Sequence, residues 1–265
     1  MTVCAGTAAV VVQAISKSFA DRRLGSKLAV HRLSFTVNGG EIVGIFGASG
    51  CGKTTLLRII CGVLHQDEGE VYLFGSPASE RRGKVAYVSQ YGGLLEWKTL
   101  WNNALLGWSI VEPNQSLSRE AVASRAEQLF NSFGITDQMH KYPSQCSGGQ
   151  RQRAALIRAL LTPVNILALD EPGGAIDHIA RVKIYEALLQ VVQEGACASG
   201  NVAALIVSHD PEELLLLCDR VLVIPGQCAT TMTSVPITFA RPRDKEIRFK
   251  PEFSELKRKL WNCLL

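Results

Sequence analysis

A glycine-rich stretch that ends in a lysine, GASGCGKT at residues 47–54, holds the residue types that most directly predict chemistry. It satisfies the pattern G-x-x-x-x-G-K-[ST], follows an apolar run typical of a strand and opens a run typical of a helix. Glycines let the backbone turn tightly and point several N–H groups at one anion, and the helix N-terminus adds partial positive charge. The stretch therefore predicts a site for nucleotide phosphates.

Two side chains complete this predicted phosphate site. Lys53 would bring a full positive charge to the β- and γ-phosphates, and Thr54 would offer its hydroxyl to Mg²⁺, which prefers hard oxygen ligands. The loop residues predicted to bind the nucleotide are Gly47, Ser49, Gly50, Cys51, Gly52, Lys53, Thr54 and Thr55.

A second candidate site lies directly after the apolar run ILAL at residues 166–169, where two acidic residues, Asp170 and Glu171, follow each other. An unpaired carboxylate at the end of a buried strand is costly, so a cation is the expected partner. Asp170 is predicted to hold Mg²⁺ directly or through water, and Glu171 to orient or deprotonate the water that attacks the γ-phosphate. The alternative is a strand that simply ends in a polar turn.

The stretch SQCSGGQRQRAALIRALL at residues 144–161 starts a basic helix with Ser-Gly-Gly, which is a second anion cradle. Here the chain resembles the ABC-transporter ATPases, whose signature reads L-S-G-G-Q. Ser147, Gly148, Gly149 and Gln150 match the signature, and Cys146 departs from its leucine. The resemblance implies a homodimer in which two ATP molecules bind head to tail, each between one glycine loop and the partner's signature.

The same resemblance assigns roles to four further residues. Gln90 matches the glutamine that senses Mg²⁺ and the transmembrane partner, and His209 matches the switch histidine at the γ-phosphate. Asp177 matches the loop that crosses to the other subunit, although Gly174 departs from the usual sequence before it. Phe19 stands where an aromatic residue stacks on adenine; ordinary core packing is the alternative, since tyrosine is commoner there.

Strand-like runs alternate with helix-like runs, which predicts an α/β fold. With the resemblance, the expectation is a P-loop NTPase of the ABC type, with a mixed β-sheet core, an antiparallel β subdomain and a helical insert. Residues 8–91 and 162–240 would form the ATP-binding core with its β subdomain. Residues 92–161 would form the helical subdomain with the signature, and 241–265 a basic C-terminal tail.

The helical insert is expected to carry a docking surface. The stretch YGGLLEWKTLWNNALLG at residues 91–107 follows Gln90 and would expose Leu94, Leu95, Trp97 and Trp101 to a partner helix; packing inside the insert is the alternative. Within it, LLEW resembles the Leu-Leu-Pro-Trp of importers for nitrate, sulfonates and taurine, with Glu96 in place of proline. Bicarbonate and thiamine-precursor pyrimidines are the other cargoes that the resemblance allows.

Composition limits the remaining classes. The net charge of +4 is too small to indicate nucleic-acid binding, and the basic residues of 241–259 suit a solvated tail or contact with a membrane-bound partner. Eight cysteines without C-x-x-C pairs predict reduced thiols rather than disulfides or a zinc site. No apolar run is long enough to span a bilayer.

These observations predict an ATPase that docks on a separate integral-membrane permease at the cytoplasmic face of the membrane. An extracytoplasmic substrate-binding protein would deliver the cargo. Two other classes remain open: an ABC ATPase that acts on DNA or ribosomes without a transporter, and a regulatory version that binds ATP without hydrolysing it.

Overall fold

The computed structural model describes residues 8–21, 25–81, 83–111, 118–174, 176, 178–194, 202–226 and 229–264. These residues pack as two compact units, one from Met1–Arg82 with Ala203–Leu265 and the other from Gly83–Val202. Each unit contains part of the predicted site, so each is described separately.

The described residues form ten strands and seven α-helices. The strands are β1 (Ala8–Asp21), β2 (Gly25–Asn38), β3 (Ile42–Gly47), β4 (Glu68–Leu73), β5 (Ser76–Pro77), β6 (Val85–Val88), β7 (Ile166–Asp170), β8 (Ala203–Val207), β9 (Arg220–Ile224) and β10 (Thr233–Pro236). The helices are α1 (Lys53–Ile60), α2 (Leu100–Val111), α3 (Arg119–Ser132), α4 (Gly148–Leu161), α5 (His178–Glu194), α6 (Pro211–Leu217) and α7 (Pro251–Asn262).

The first unit contains an antiparallel sheet with strand order β2-β1-β4-β5. The long strands β1 and β2 alternate buried and exposed residues over much of their length, as expected of a sheet with one face against the core. Their register shifts where Ala14 and Arg32 adopt positive φ, and Ser34 and Ser16 side chains accept the N–H groups of these two residues. The distortions are therefore satisfied by hydrogen bonds.

The same unit contains the strand order β10-β9-β3-β8, in which β3 is parallel to both β8 and β9 and β10 is antiparallel to β9. Every residue of β3 and β8 is buried, which explains their continuously apolar sequences. Because parallel strands end at the same edge, the segments that follow β3 and β8 leave the sheet side by side. Those segments hold the glycine loop and His209.

Helices α6 and α7 contact each other, and both reach β3. A side chain on Gly44 would approach Cys218 and Leu214 to 3.0 Å, so the glycine permits close packing of α6 on the strand. The Phe46 and Trp261 rings meet edge to face, with centroids 5.3 Å apart. The last helix is thus packed beside the strand that leads into the glycine loop.

The basic C-terminal segment is bound to this first unit by its own charges. Arg241 pairs with Asp219 at 3.0 Å, and the Arg243 guanidinium donates to backbone carbonyls that include Leu216 at 3.0 Å. Phe253 and Leu260 of α7 are buried. These described residues belong to the folded unit, and they do not extend from it as a solvated tail.

The second unit contains the parallel pair β6 and β7 together with helices α2 to α5. Val88 pairs with Leu169, so the residues two positions later, Gln90 and Glu171, also stand opposite each other. Helix α4 packs against α2, α3 and α5 through a side that is almost wholly apolar. Its exposed first turn is the predicted signature.

The expected α/β class, with its mixed sheet, antiparallel sheet and run of helices between residues 100 and 161, is confirmed. Helix α2 was predicted only as part of the helical insert, without bounds of its own, and helix α7 and strand β10 were not predicted. Among the described residues, no helix combines the length and hydropathy that crossing a bilayer requires.

Candidate nucleotide-binding and hydrolysis site

The glycine loop owes its shape to positions that only glycine can occupy. Gly52 is the N-cap of α1 at φ 100°, and a Cβ there would lie 2.2 Å from the Ala29 carbonyl oxygen. Gly50 also adopts positive φ, at 80°. A Cβ on Gly47 would lie 2.6 Å from the Cys51 sulfur. The loop therefore wraps closely on itself and on β2.

The Lys53 side chain is buried, and its amine is held inside the loop. Nζ donates to the carbonyl oxygens of Gly47 at 2.8 Å and Ala48 at 2.9 Å. Two of the three donors of the ammonium group are thus bound to backbone carbonyls, and these bonds hold the amine within the loop. A phosphate that enters the loop would meet a positive charge already in place.

Cys51 lies beneath this amine, with its sulfur 4.0 Å from Nζ. Burial raises the pKa of the Cys51 thiol, and the positive charge of Lys53 offsets part of that rise. The other predicted binding residues of the loop differ in exposure: Ser49 and Gly50 are exposed, whereas Thr54 and Thr55 at the start of α1 are half-buried.

His209 follows β8 in a loop that is held by a buried polar network. The Ser208 hydroxyl donates to the Glu213 carboxylate at 2.5 Å and accepts the Asp210 N–H at 3.0 Å, and both Ser208 and Glu213 are buried. Asp210 in turn caps α6 by accepting the Glu212 N–H at 2.9 Å. The histidine is therefore carried by a short, fixed backbone segment beside the glycine loop.

In the second unit, the structure brings Gln90 and Glu171 together. The Gln90 amide Nε2 donates to the Glu171 carboxylate oxygen Oε2 at 3.4 Å. Asp170 ends β7 with only 1% of its surface exposed. Gln90, predicted both as a catalytic residue and as a metal ligand, thus meets the predicted catalytic Glu171 at the ends of two paired strands, and the predicted metal ligand Asp170 is the next residue in the chain.

Glu171 has a strained backbone, with φ of 52° in the left-handed region. For a residue with a side chain this conformation costs about 1–2 kcal/mol, and such strain tends to concentrate at functional sites. The next turn is held from α5, because Arg181 Nη2 donates to the carbonyls of Gly173 at 2.9 Å and Ile176 at 3.2 Å. The backbone conformation of Glu171 and the turn that follows it therefore fix the direction of its side chain.

The predicted signature forms the exposed N-terminus of α4. Ser147 is the N-cap, and its Oγ accepts the Gln150 N–H at 3.3 Å while the Gln150 side chain accepts the Ser147 N–H at 2.8 Å. This capping box uses the serine oxygen as an acceptor and leaves its proton able to reach an anion. The Ser147, Gly148 and Gly149 backbone stands at the positive end of a 14-residue helix.

Cys146 directly precedes this cap. Its thiol donates to the Tyr142 carbonyl at 3.5 Å, and partial burial raises its pKa. The side chain points back into the preceding turn, so the departure from leucine leaves the capping geometry intact.

The remaining predicted residues are placed as follows. Phe19 in β1 is not a core residue, because 43% of its surface is exposed, and the Lys17 amine lies 5.8 Å from its ring centroid. Asp177 lies outside the described residues. Of the predicted docking residues, Trp97 is 73% exposed, whereas Trp101 packs against the Phe130 ring with centroids 6.0 Å apart.

Several residues that support the site were not found by sequence reasoning. They are Ser208, Glu213, Arg181, Asn103 and Arg158. The sequence offered one signal for such residues, an acidic side chain or an arginine within an apolar helix, as in EELLLL and AALIRALL. A charged residue at such a position indicates that its side chain has a polar partner in the fold, but the sequence does not identify that partner.

Comparison with known proteins agrees with this geometry. A family model described as ABC transporter matches residues 30–174. The nitrate import ATP-binding protein NrtD of Synechococcus elongatus is 35% identical over 247 residues, covering 92% of this chain and 86% of the relative. The aliphatic sulfonates import ATP-binding protein SsuB 1 of Streptomyces avermitilis is 37% identical over 256 residues, covering 97% and 86%.

Solved structures show the same fold. The dimeric structure of MJ0796, a bacterial ABC transporter cassette, superposes with a TM-score of 0.75 and 25% identity, covering 87% of this chain and all of that one. A P-loop NTPase fold with a glycine loop, a strand-end acid pair and an exposed Ser-Gly-Gly helix start defines an ABC-type ATPase. The family match spans more than half of the chain, and the chain belongs to the ABC transporter family. It binds and hydrolyses ATP as the ATP-binding subunit of such a system.

Proposed function

We propose that this ATPase powers an importer for a small anionic or polar nutrient, with nitrate and alkanesulfonates as the leading cargoes. The observation that carries the proposal is the presence of two phosphate cradles in one chain, the glycine loop and the exposed start of α4. The names of the two relatives support the importer and its cargo class. Taurine, bicarbonate and thiamine-precursor pyrimidines belong to the same group of candidates.

ATP would enter the glycine loop with its β- and γ-phosphates at Lys53. The amine now held by the Gly47 and Ala48 carbonyls would turn to phosphate oxygens, which are stronger acceptors because they are charged. Backbone N–H groups of Ser49 to Thr55 would complete the cradle. The exposed face of Phe19 is available for stacking on the adenine ring.

The residues present also fit a magnesium ion. The Thr54 hydroxyl, the Gln90 amide oxygen and the buried Asp170 carboxylate are all oxygen donors of the kind that Mg²⁺ prefers. When bound with ATP, the ion would neutralise charge on the phosphates. These three residues would hold it, and Asp170 supplies the one negative charge among them.

Hydrolysis would depend on Glu171. Its carboxylate would accept a proton from the water whose oxygen attacks the γ-phosphorus, while the bond to the bridging oxygen breaks and ADP leaves. Gln90, which already donates to this carboxylate, would keep it aimed, and His209 would donate to the γ-phosphate. The strained Glu171 backbone is consistent with an enforced orientation.

The second cradle implies a second copy of the chain. One bound nucleotide offers one γ-phosphate, so Ser147, Gly148, Gly149 and Gln150 would serve the nucleotide of a partner subunit, with Asp177 near the crossing. The homodimer would dock through the region around Trp97 on an integral-membrane permease at the cytoplasmic face. A substrate-binding protein outside the membrane would deliver cargo, and no nucleic acid takes part.

The cargo can be tested in cells. A strain lacking this gene should fail to grow when nitrate is the only nitrogen source, or when an alkanesulfonate is the only sulfur source, and should recover with the wild-type gene. Recovery should not occur with Lys53→Ala, which removes the phosphate-binding charge. Normal growth of the deletion strain on every candidate nutrient would contradict the cargo class, and absence of ATPase activity in the purified chain would contradict the whole proposal.

A further inference from the structure

Arg158 joins the helix that starts at the signature to the segment that follows Gln90. Its guanidinium Nη1 donates to the Gly93 carbonyl at 2.9 Å, and Nη2 donates to the Gly92 carbonyl at 2.9 Å. Both bonds have ideal length, and their planar fork matches two adjacent carbonyls. The Arg158 side chain is half-buried, and desolvation lowers its pKa.

The two glycines that receive this fork form a turn that depends on α4. Gly92 and Gly93 both have positive φ, at 77° and 59°, and the Gly92 N–H closes the turn on the Ser89 carbonyl at 2.8 Å. A Cβ on Gly92 would lie 3.3 Å from the Ala155 methyl group, so the turn also packs directly on α4. A shift of this helix must therefore carry the turn with it or break two charged hydrogen bonds.

The other end of the same segment is held by Asn103 of α2, which is fully buried. Its Oδ1 accepts the Leu95 N–H at 2.7 Å, and its Nδ2, with two hydrogens to donate, lies 3.0 Å from the carbonyl oxygens of Leu95, Lys98 and Thr99. We call residues 91–99 the docking segment. Its exposed aromatic rings, Tyr91 and Trp97, stand on a backbone held from both sides.

From this geometry we infer that Arg158 is a positioning residue that makes the docking segment follow the signature helix. A nucleotide phosphate at the N-terminus of α4 would displace that helix, and the fork on Gly92 and Gly93 would move Tyr91 and Trp97 with it. The segment also begins next to Gln90, so the same turn links the Glu171 carboxylate to the docking surface. The inference rests on the proposed function, since it assumes that the docking segment meets a permease.

Hydrogen–deuterium exchange of the full-length chain tests this link without a permease. In a Glu171→Gln background, Mg²⁺ and ATP should slow exchange in α4 and in the docking segment of the otherwise wild-type chain by about tenfold or more. Arg158→Lys keeps the cation but loses the fork, and Arg158→Met loses both. In these two variants α4 should still respond to nucleotide, whereas the docking segment should exchange at the same rate with and without it.

Arg153→Lys is the matched control on the same helix. Arg153 also binds backbone carbonyls, with Nε to Gly149 at 3.3 Å and Nη1 to Phe133 at 2.9 Å, and neither of these carbonyls belongs to the docking segment. This variant should keep the nucleotide response of the docking segment. Thermal melts of all three variants identify any loss of fold; if Arg158→Met unfolds, the milder Arg158→Lys carries the test.

Two outcomes overturn the inference: a docking segment that still responds to nucleotide in the Arg158 variants, or one that loses its response equally in Arg153→Lys. A docking segment that ignores nucleotide in the otherwise wild-type chain, while α1 and α4 respond, also overturns it and leaves the proposed function standing. If neither α1 nor α4 responds to Mg²⁺ and ATP, the proposed function fails with it.

Discussion

Glu171 and Lys53 show how individual residues at this site are held ready before a nucleotide arrives. The carboxylate stands on a left-handed backbone and accepts a hydrogen bond from Gln90, and the amine is held by the carbonyls of its own loop. Each group is thus held by a contact with a neighbouring protein group. Pre-positioned charges lose less entropy when the reaction begins, which favours catalysis.

Replacing Glu171 with Gln should separate binding from chemistry. The amide keeps the shape and can still contact Gln90, but it cannot accept a proton, so kcat for ATP should fall by about a hundredfold or more. Nucleotide affinity, measured by calorimetry, should stay within about threefold. The same variant should form a dimer with Mg²⁺ and ATP on sizing columns; normal turnover would remove Glu171 from the chemical step.

Cys51 offers a pH-dependent test of the loop. Only the thiolate reacts with iodoacetamide, and burial raises the pKa of this thiol above its ordinary value of 9.0. Alkylation at pH 7 should therefore be about tenfold or more slower than at half-buried Cys263, and it should keep accelerating as the pH rises past 9. Peptide mass spectrometry measures both rates in one sample, and bound ATP should slow only the reaction of Cys51.

At the scale of elements, the start of α1 illustrates why a loop can be predicted from its sequence. The backbone conformation of Gly52 and the nearby Ala29 carbonyl both exclude a side chain at this position. The glycine in the sequence therefore indicates the loop conformation directly. The parallel strands β3 and β7 were predicted for a similar reason, since burial on both faces demands a continuous apolar run.

Gly52→Ala should lower the free energy of unfolding more than strain alone explains. Gly75→Ala is the control, because Gly75 also has positive φ, at 77°, but a Cβ there meets nothing within 4 Å. The control should cost about 1–2 kcal/mol from backbone strain. The Gly52 variant should exceed it by about 2 kcal/mol or more and lose ATP binding, as measured by urea denaturation and calorimetry; equal costs would show that the loop can move away from β2.

Other elements escaped prediction because their cause lies elsewhere in the chain. Helix α2, with the sequence LWNNALLGWSIV, is apolar around most of its circumference and shows little helical periodicity. Asn103 in this helix is a poor helix former, and its role became visible only through the hydrogen bonds of its side chain to the docking segment. The Arg158 fork is likewise a tertiary contact, between residues 65 and 66 positions apart in sequence.

At the scale of the whole molecule, the C-terminal residues close the first unit. Strong positive charge suggested a solvated segment, yet Arg241 and Arg243 bind residues of the unit, and α7 buries Phe253 and Leu260. Helix α7 is amphipathic, with its charged residues on the outer face and apolar residues on the inner face. The net charge of the segment therefore reflected its exposed face and gave no sign of the face that packs on the unit. Lys257 adds an ion pair with Glu212 of α6 at 2.5 Å.

This ion pair predicts a pH-dependent contribution to stability. The hydrogen bond from Lys257 lowers the pKa of Glu212 below its ordinary value of 4.5, so the stabilisation is present above that value and disappears as the pH falls through the lowered pKa. Lys257→Met should reduce the free energy of unfolding at pH 7 by up to about 1 kcal/mol, since the pair is partly exposed. Urea titrations of both proteins should converge as the pH falls through the lowered pKa of Glu212; a gap that persists at still lower pH would point to lost packing instead.

The perpendicular rings of Phe46 and Trp261 give the molecule a label-free optical reporter. An indole fixed against a phenyl ring produces near-ultraviolet circular dichroism, and the phenyl ring here belongs to Phe46, the residue before the glycine that opens the phosphate loop. Any displacement of that strand end would alter the dichroic band. Filling of the ATP site could therefore be followed in the unmodified protein, with Trp261→Phe identifying which of the four tryptophans carries the signal.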